Sequence, residues 1–165
     1  DADQLVANAG DAVARMVEAR AAADEAGVMV AYANDIHDEW RCSRTEICEQ
    51  ALAGRRPDLV RPLLPRSGDA FIHKGQHSAF YGTPLAHLLH EEQIGELVLT
   101  GQVTEQCILY TALDAHVRHY SVTVLADAVI PLDRELGDAA LRMMERNMGA
   151  RVTTANLGNG LPWLN

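Results

Sequence analysis

The sequence lacks several features that would assign it to a specialised class of protein. Its 165 residues include only three cysteines, Cys42, Cys48 and Cys107, and none of them forms a CxxC pair. An odd number without such a pair indicates neither a disulfide framework nor a cysteine-rich zinc site, so a reducing cytoplasm is expected. No apolar run approaches the roughly 20 residues that span a bilayer. No signal peptide is recognisable, which fits the same location.

Positive charge is also scarce. The 14 lysines and arginines face 23 acidic residues, and the net charge of −9 argues against a nucleic-acid-binding surface. Hydrophobic residues make up 48% of the chain and charged residues 22%, a composition that excludes disorder. The length suits a single domain over residues 1–165 with a sizeable core. We therefore expect a cytoplasmic globular domain that binds neither nucleic acid nor a membrane.

Helical and extended patterns alternate along the chain. Strands are predicted at residues 28–33, 70–74, 97–100, 121–126 and 151–155, and helices at residues 3–25, 45–52, 105–118 and 134–148 with one more after a loop within 82–92. This alternation predicts an α/β fold with three α/β/α layers and a doubly wound, mostly parallel sheet. The nearly continuous apolar content of residues 28–33 predicts a strand buried on both faces.

The beginning of the chain is unusual for such a fold. A right-handed β–α–β crossover needs a parallel strand at each end, yet the first predicted element is a helix. Either the sheet is one strand short, or a strand precedes Asp1. We favour the second interpretation because a sheet of order 3-2-1-4-5-6 has its first strand at the centre. Residues 28–33 and 97–100 would then lie on either side of that strand and would not pair with each other.

Residues 96–115 are the stretch around which a site would be built. They predict a buried strand that breaks at Gly101 and turns into a helix with Cys107 in its first turn. Thr104 is the predicted N-cap of that helix, which would begin at Glu105. There the sulfur faces the positive end of the helix dipole, which favours the nucleophilic thiolate. A lone cysteine is more often a small buried hydrophobe, so this pattern alone leaves both interpretations open.

Further motifs occur in a fixed order between residues 73 and 129. They are a lysine that closes a strand, S-A-F, G-T-x-L, T-G-x-x-T-x-x-C, T-A-x-D-A and D-A. The matching positions are Lys74, Ser78, Ala79, Phe80, Gly82, Thr83, Leu85, Gly101, Thr104, Cys107, Thr111, Ala112, Asp114, Ala115, Asp127 and Ala128. This run resembles the isochorismatase-like cysteine hydrolases, a family that includes nicotinamidases, N-carbamoylsarcosine amidohydrolases and isochorismatases. The resemblance implies an isochorismatase-like fold with strand order 3-2-1-4-5-6.

The resemblance also implies a triad of cysteine, lysine and aspartate. Cys107 would be the nucleophile, Lys74 would stabilise charge, and the aspartate would accept the thiol proton. That aspartate belongs to a motif like D-x-x-N-D-F at the end of the first strand, and this sequence contains no such motif. The family pattern further implies a cis peptide bond between Gln102 and Val103, which would aim the Val103 N–H, with that of Cys107, at a developing oxyanion.

Asp35 and His37 have the spacing of an Asp-x-His pair that binds a divalent metal in the nicotinamidases of this family. The expected third ligand is missing, because no histidine lies between His37 and His73. One carboxylate and one imidazole make a weak metal site. We therefore predict no metal and no other cofactor, and we expect Asp35 and His37 to make loop hydrogen bonds or to contact the substrate.

Three aromatic residues are candidates for a substrate-binding wall. Trp40, Phe80 and Tyr81 could flank a small planar substrate, although ordinary packing is the alternative for each. His73 and His77 flank Lys74 in the sequence. For both we expect a role as a wall or hydrogen-bonding residue rather than as a metal ligand.

These observations predict a hydrolase that cleaves a small amide-like or urea-like C–N bond through a thioester on Cys107. One alternative is vinyl-ether hydrolysis of the isochorismatase type, which needs no cysteine and is therefore disfavoured by Cys107. Another is a non-catalytic family member without the aspartate base. The expected partner is a small-molecule substrate, and the resemblance alone implies a homo-oligomer.

Overall fold

The computed structural model describes residues 2–36 and 42–155. Helices and strands alternate, as the sequence predicts. The strands are β1 (Ala31–Asp35), β2 (Ala70–Lys74), β3 (Glu96–Gln102), β4 (Ser121–Ile130) and β5 (Arg151–Thr153). The helices are α1 (Ala2–Ala9), α2 (Ala12–Glu25), α3 (Arg44–Leu52), α4 (Pro57–Val60), α5 (Leu85–Glu91), α6 (Leu109–Val117) and α7 (Arg134–Met148), with a 3₁₀ turn at Arg61–Leu63 and a π-helical turn at Thr104–Ile108.

The predicted helix at residues 3–25 is interrupted once. Gly10 adopts a φ of +44°, and it separates α1 from α2. Glycine occupies this left-handed region without the steric cost that a side chain would add. Gly27, with a φ of +67°, follows α2 and marks the predicted end of the helical region.

Every strand pairing in the described part of the chain is parallel. The strands form two sheets, with orders β1–β2 and β3–β4–β5. These orders are the two halves of the predicted sheet on either side of its first strand. The prediction that β1 and β3 do not pair with each other is therefore confirmed. The strand expected between them stays a prediction.

The burial predicted for residues 28–33 is wrong. The strand begins three residues later than predicted, at Ala31, and each of residues 28–33 is half-buried or exposed. Within the described residues β1 pairs with β2 alone, so one of its edges has no strand beside it. An apolar run in a parallel sheet is covered only where neighbouring strands and helices are both in place.

The pairing of β3 with β4 contains an irregularity that shapes the end of β3. Leu99 lies opposite Val124, whereas Gly101 lies opposite Val129, so the register shifts between these positions. Gly101 has a φ of +110°. The break predicted at Gly101 is thus a local distortion, and β3 continues to Gln102. Such bulges redirect the chain at sheet edges next to active sites.

Side chains of β4 alternate between two cores. Val122 and Val124 pack in a cluster with residues of α5, α6 and α7. Leu125 and Ala128 pack in a second cluster with residues of α1 and α2. Helices therefore cover both faces of the β3–β4–β5 sheet, which confirms the predicted three-layer α/β/α fold. No helix among the described residues is long and apolar enough to cross a membrane.

Candidate active site

The strand pairing places the candidate residues at one edge of the fold. Asp35 and Lys74 are the last residues of β1 and β2, and they lie opposite each other in the parallel register. Cys107 lies in the π-helical turn that begins shortly after β3 ends. Ligands of open α/β sheets bind beyond the carboxyl ends of the strands. The three side chains meet at this edge.

Lys74 is the central group of the cluster. Its side chain is only 4% exposed, and its Nζ lies 2.6 Å from Asp35 Oδ1 and 3.4 Å from Cys107 Sγ. A buried ammonium group needs partners that replace its lost hydration. The carboxylate of Asp35 and the sulfur of Cys107 supply them. In return, the cation stabilises negative charge on the sulfur.

The turn that carries Cys107 differs from the predicted one. The carbonyl of Val103 accepts hydrogen bonds from the N–H groups of Gln106 and Ile108, each at 3.1 Å. The second bond spans five residues, which is the spacing of a π-helix. The predicted N-cap is wrong, because Thr104 lies inside the turn and its buried Oγ1 has no hydrogen-bond partner among the described residues.

A histidine lies beside the sulfur of Cys107 and stacks on a tyrosine. His77 Nδ1 lies 4.0 Å from Cys107 Sγ, and the imidazole stacks on the ring of Tyr110 at 5.5 Å between centroids and 20° between planes. The prediction for His77 is only a wall or hydrogen-bonding role, and no sequence motif singles out Tyr110. Its position three residues after Cys107 was the available signal, because residues at this spacing share a helix face.

Hydrogen bonds fix the loop after β2 to α6. Ser78 Oγ donates to Asp114 Oδ2 at 2.5 Å, and the Ala79 N–H donates to Thr111 Oγ1 at 3.0 Å. Arg118 forms an ion pair with Asp114 on the same helix. These contacts explain why the S-A-F and T-A-x-D motifs occur together, because residues of the first motif bond to residues of the second and so join the loop to α6.

The predicted aromatic wall is not assembled as a unit. Phe80 is only 5% exposed and packs in the core, with its ring 5.8 Å from that of Tyr120 and beneath the guanidinium of Arg118. Tyr81 is 66% exposed. Trp40 lies outside the described residues. The structure thus brings Phe80 and Tyr81 into different environments, and a role of Tyr81 or Trp40 in substrate binding stays a prediction.

The described residues do not build a metal site. They include no group of three or more histidine, cysteine, aspartate and glutamate side chains placed to hold an ion. Asp35 binds the ammonium of Lys74, and His37 lies outside the described residues. His73 packs edge-on against Phe71, with 5.1 Å between ring centroids. The prediction that Asp35 and His37 hold no metal stays a prediction.

Two further predictions concern the peptide bond before Val103 and the state of the cysteines. The peptide bond between Gln102 and Val103 is cis, as expected. Cys42 and Cys48, like Cys107, are half-buried and form no disulfide. Cys107 is distinguished by the ammonium of Lys74 beside its sulfur.

Comparison with known proteins gives the family. The sequence profile of the Isochorismatase domain matches residues 1–156. The chain is 35% identical to the isochorismatase family protein YaaI of Bacillus subtilis over 125 residues, which are 76% of this chain and 69% of YaaI. It is 32% identical to the ureidoacrylate amidohydrolase RutB of Methylorubrum extorquens, over 87% of this chain and 67% of RutB. The chain thus spans about two thirds of these relatives.

A solved structure shows the same relationship. The N-carbamoylsarcosine amidase of Thermoplasma acidophilum superposes with a TM-score of 0.70 and 27% identity, covering 90% of this chain and 85% of the amidase. The profile match extends over nearly the whole chain, and the sequence and structural relatives agree with it. The protein belongs to the isochorismatase family and is a hydrolase of that family.

Proposed function

We propose that the protein hydrolyses a small amide-like or urea-like C–N bond through a thioester on Cys107. The observation that carries this proposal is the 3.4 Å contact between Cys107 Sγ and the buried ammonium of Lys74. Thiolate rather than thiol is the nucleophile in cysteine chemistry, and a neighbouring cation stabilises it. A structural cysteine would have no need of a buried charge beside it.

The reaction has two halves. The sulfur of Cys107 forms a bond to the substrate carbonyl carbon, and the carbonyl oxygen takes the displaced electron pair, held by the N–H groups of Val103 and Cys107. The C–N bond then breaks, and the nitrogen leaves as ammonia or an amine that carries the proton lost by the thiol. Water attacks the thioester, the C–S bond breaks, the acid departs, and one proton of the water returns to the sulfur. Lys74 stabilises negative charge on the sulfur at the start and end of this cycle.

Asp35 has a positioning role in this proposal. Its carboxylate lies 2.6 Å from Lys74 Nζ, on the strand adjacent to that of the lysine. This ion pair fixes the ammonium at the sheet edge, where its remaining hydrogens can reach the sulfur. Asp35 is partly exposed, so a substrate could approach the same edge from solvent.

The named relatives suggest which C–N bonds to test first. RutB is a ureidoacrylate amidohydrolase, and the Thermoplasma protein is an N-carbamoylsarcosine amidase. Both names describe substrates with a terminal carbamoyl group on nitrogen. We propose a substrate of this N-carbamoyl class, in which ammonia is the leaving group and the carbamic acid that water releases from Cys107 decomposes to an amine and carbon dioxide.

The test is ammonia release from N-carbamoylsarcosine, ureidoacrylate and the simple amide nicotinamide. We expect turnover of at least one compound, and acid-quenched protein should carry an acyl adduct on Cys107 that mass spectrometry of tryptic peptides locates. The Cys107→Ala variant should release no ammonia and form no adduct. Equal turnover by wild type and Cys107→Ala would contradict the thioester on Cys107.

A further inference from the structure

Four consecutive residues of the loop after β2 lie against one face of the π-helical turn and α6. The residues that share this face follow one another at intervals of three or four positions, and they are Cys107, Thr111, Asp114 and Arg118. Each of them meets one loop residue, in the pairs His77–Cys107, Ala79–Thr111, Ser78–Asp114 and Phe80–Arg118. The loop directly follows Lys74, so it connects the residue that carries the ammonium to the face that carries the sulfur.

Asp114 is the central acceptor of this contact. Its Oδ2 accepts a hydrogen bond from Ser78 Oγ at 2.5 Å, and its Oδ1 forms an ion pair with Arg118. Ser78 is only 6% exposed, and its Oγ also accepts a hydrogen bond from the Phe80 N–H at 3.2 Å. A hydroxyl that donates to a carboxylate forms a short and strong hydrogen bond. The carboxylate of Asp114 therefore determines where the loop lies against α6.

The position of this loop bears on the distance between Lys74 and Cys107. Lys74 ends β2, and Cys107 lies in the turn after β3, so no single helix or strand holds both residues. Ser78 lies four positions after Lys74, and Asp114 lies seven positions after Cys107. The bond between Ser78 and Asp114 therefore joins the two segments close to the 3.4 Å contact between Nζ and Sγ.

We propose that Asp114 is a positioning residue of the hydrolase, a role that rests on the proposed function. It acts through Ser78, because it holds the loop that follows Lys74 on the face that begins at Cys107. The ammonium is thereby kept within reach of the sulfur. Placement of this kind has a large effect on rate, since a displacement of about 1 Å can cost about 100-fold. Without the carboxylate of Asp114, the sulfur loses part of the charge stabilisation that its thiolate needs.

The first experiment removes the bond from either side. Asp114→Ala and Ser78→Ala should each lower kcat for ammonia release by about tenfold and change KM by less than about twofold, because the nucleophile is displaced and the substrate contacts remain. Asp114→Asn should keep most of the wild-type kcat, because its amide oxygen can still accept a hydrogen bond from Ser78 Oγ. His116→Ala is the matched control, since His116 is exposed on the same helix outside this face, and it should keep wild-type kcat.

Three results would overturn the proposal. Wild-type kcat in Asp114→Ala would show that the carboxylate positions nothing essential, and Ser78→Ala tests the same bond if Asp114→Ala does not fold. An Asp114→Asn variant as slow as Asp114→Ala would show that the bond to Ser78 is not the cause. A double variant of Ser78 and Asp114 that is about tenfold slower than either single variant would show that the two residues act independently, because residues that act through one bond do not add.

A merely structural role of Asp114 predicts a different result for a distant variant. Arg20→Met removes a buried ion pair with Asp69 and should destabilise the fold without touching this face of α6. We expect the folded fraction of Arg20→Met to keep wild-type kcat. If its kcat falls as far as that of Asp114→Ala, loss of stability explains both effects and the proposal fails.

Alkylation of Cys107 by iodoacetamide at neutral pH separates this inference from the proposed function, because it needs a thiolate but no substrate. Asp114→Ala and Ser78→Ala should slow it by about threefold or more, since the cation moves away from the sulfur, whereas Asp114→Asn and His116→Ala should not. If no amide is hydrolysed but this pattern holds, the proposed function fails and Asp114 remains the residue that positions Lys74 beside Cys107. If amides are hydrolysed and Asp114→Ala equals wild type in kcat and in alkylation rate, only the inference fails.

Discussion

Two buried cations occupy opposite ends of the same pair of strands. At the amino-terminal end of β2, Arg20 of α2 binds Asp69 through two N–H groups at 2.7 and 2.8 Å. At the carboxyl-terminal end, Lys74 binds Asp35 at 2.6 Å. Each pair joins one base and one aspartate, and each cation is less than a tenth exposed.

The two pairs differ in how the N–H donors of the cation are used. The guanidinium of Arg20 meets both carboxylate oxygens of Asp69, and that carboxylate is itself only 7% exposed. We call Arg20 and Asp69 the closed pair, because each carboxylate oxygen accepts one N–H of the guanidinium. This bidentate pair holds α2 on the strands. We call Lys74 and Asp35 the open pair, because the ammonium shares its donors between the partly exposed carboxylate and the sulfur of Cys107. The same kind of charge is structural at one end and available for chemistry at the other, because only the carboxyl edge also receives the turn after β3.

The largest expected effect concerns Cys107, whose sulfur lies beside the open pair. Cys107→Ala should reduce amide hydrolysis by about 10⁴ or more, as loss of a nucleophile does. Because Cys107 is half-buried and alanine fits the space, the free energy of unfolding should change by about 1 kcal/mol or less. Ammonia release and urea denaturation measure the two quantities. Cys48→Ala is the control, and a similar loss of activity in that variant would undermine the assignment.

Breaking the closed pair should lower stability and leave activity unchanged, the opposite of the result expected for Cys107→Ala. Arg20→Met leaves Asp69 buried without its main partner, so the free energy of unfolding should fall by about 3 kcal/mol or more. The folded fraction should keep its kcat. The matched control is Arg15→Met on the same helix, because Arg15 forms a solvent-exposed pair with Glu18 whose loss should change the free energy of unfolding little. Equal losses in both variants would mean that the Arg20 pair contributes no special stability.

Breaking the open pair completes the comparison. Lys74→Met should lower kcat by about 100-fold, because the sulfur loses the adjacent charge. Its cost in stability should be smaller than that of Arg20→Met, since Asp35 is partly exposed and water can hydrate it. Urea denaturation and ammonia release on both variants give the comparison. A Lys74→Met variant that keeps full activity but unfolds as easily as Arg20→Met would reverse the roles of the two pairs.

The reactivity of the three thiols tests the open end without any substrate. At neutral pH, iodoacetamide should alkylate Cys107 about tenfold faster than Cys42 or Cys48, because a cation lies beside its sulfur. All three are half-buried, so exposure does not predict this difference. Mass spectrometry of peptides at successive times gives each rate. Equal labelling of the three residues would count against an activated nucleophile.

Local signals made part of this structure predictable. The helix α7 has the predicted bounds because Asp133 caps its start, accepting a hydrogen bond from the Leu136 N–H at 2.9 Å, and Gly149 follows its end with a φ of +65°. β2 also has its predicted bounds. Caps, glycines and apolar periodicity are read within a few residues, and the parallel α/β class follows from their alternation.

The contacts that define the site were not predictable in the same way. Asp35 faces Lys74 because of the register between two strands that are 39 positions apart in sequence, and no local pattern fixes a register. The π-helical turn depends on a backbone bond from Ile108 to Val103 that competes with ordinary helix bonding. The sequence motifs therefore identify Cys107 and Lys74, whereas the prediction for Asp35 is only a loop hydrogen bond or a substrate contact.

The smallest expected effect is a pH dependence at the closed end. Burial alone raises the pKa of Asp69, but hydrogen bonds from Arg20 and from the Arg66 N–H outweigh it, so the pKa lies below its ordinary value of 3.8. A carboxyl group with a lowered folded pKa stabilises the fold at pH values above the ordinary value, and this stabilisation is lost as the pH falls through the folded pKa. The free energy of unfolding should therefore fall more steeply below about pH 4 in wild type than in Asp69→Asn, which has no proton to bind. Urea denaturation at successive pH values measures both slopes, with Asp58→Asn as an exposed control. Parallel slopes for wild type and Asp69→Asn would show that the closed pair does not depend on the charge of its carboxylate.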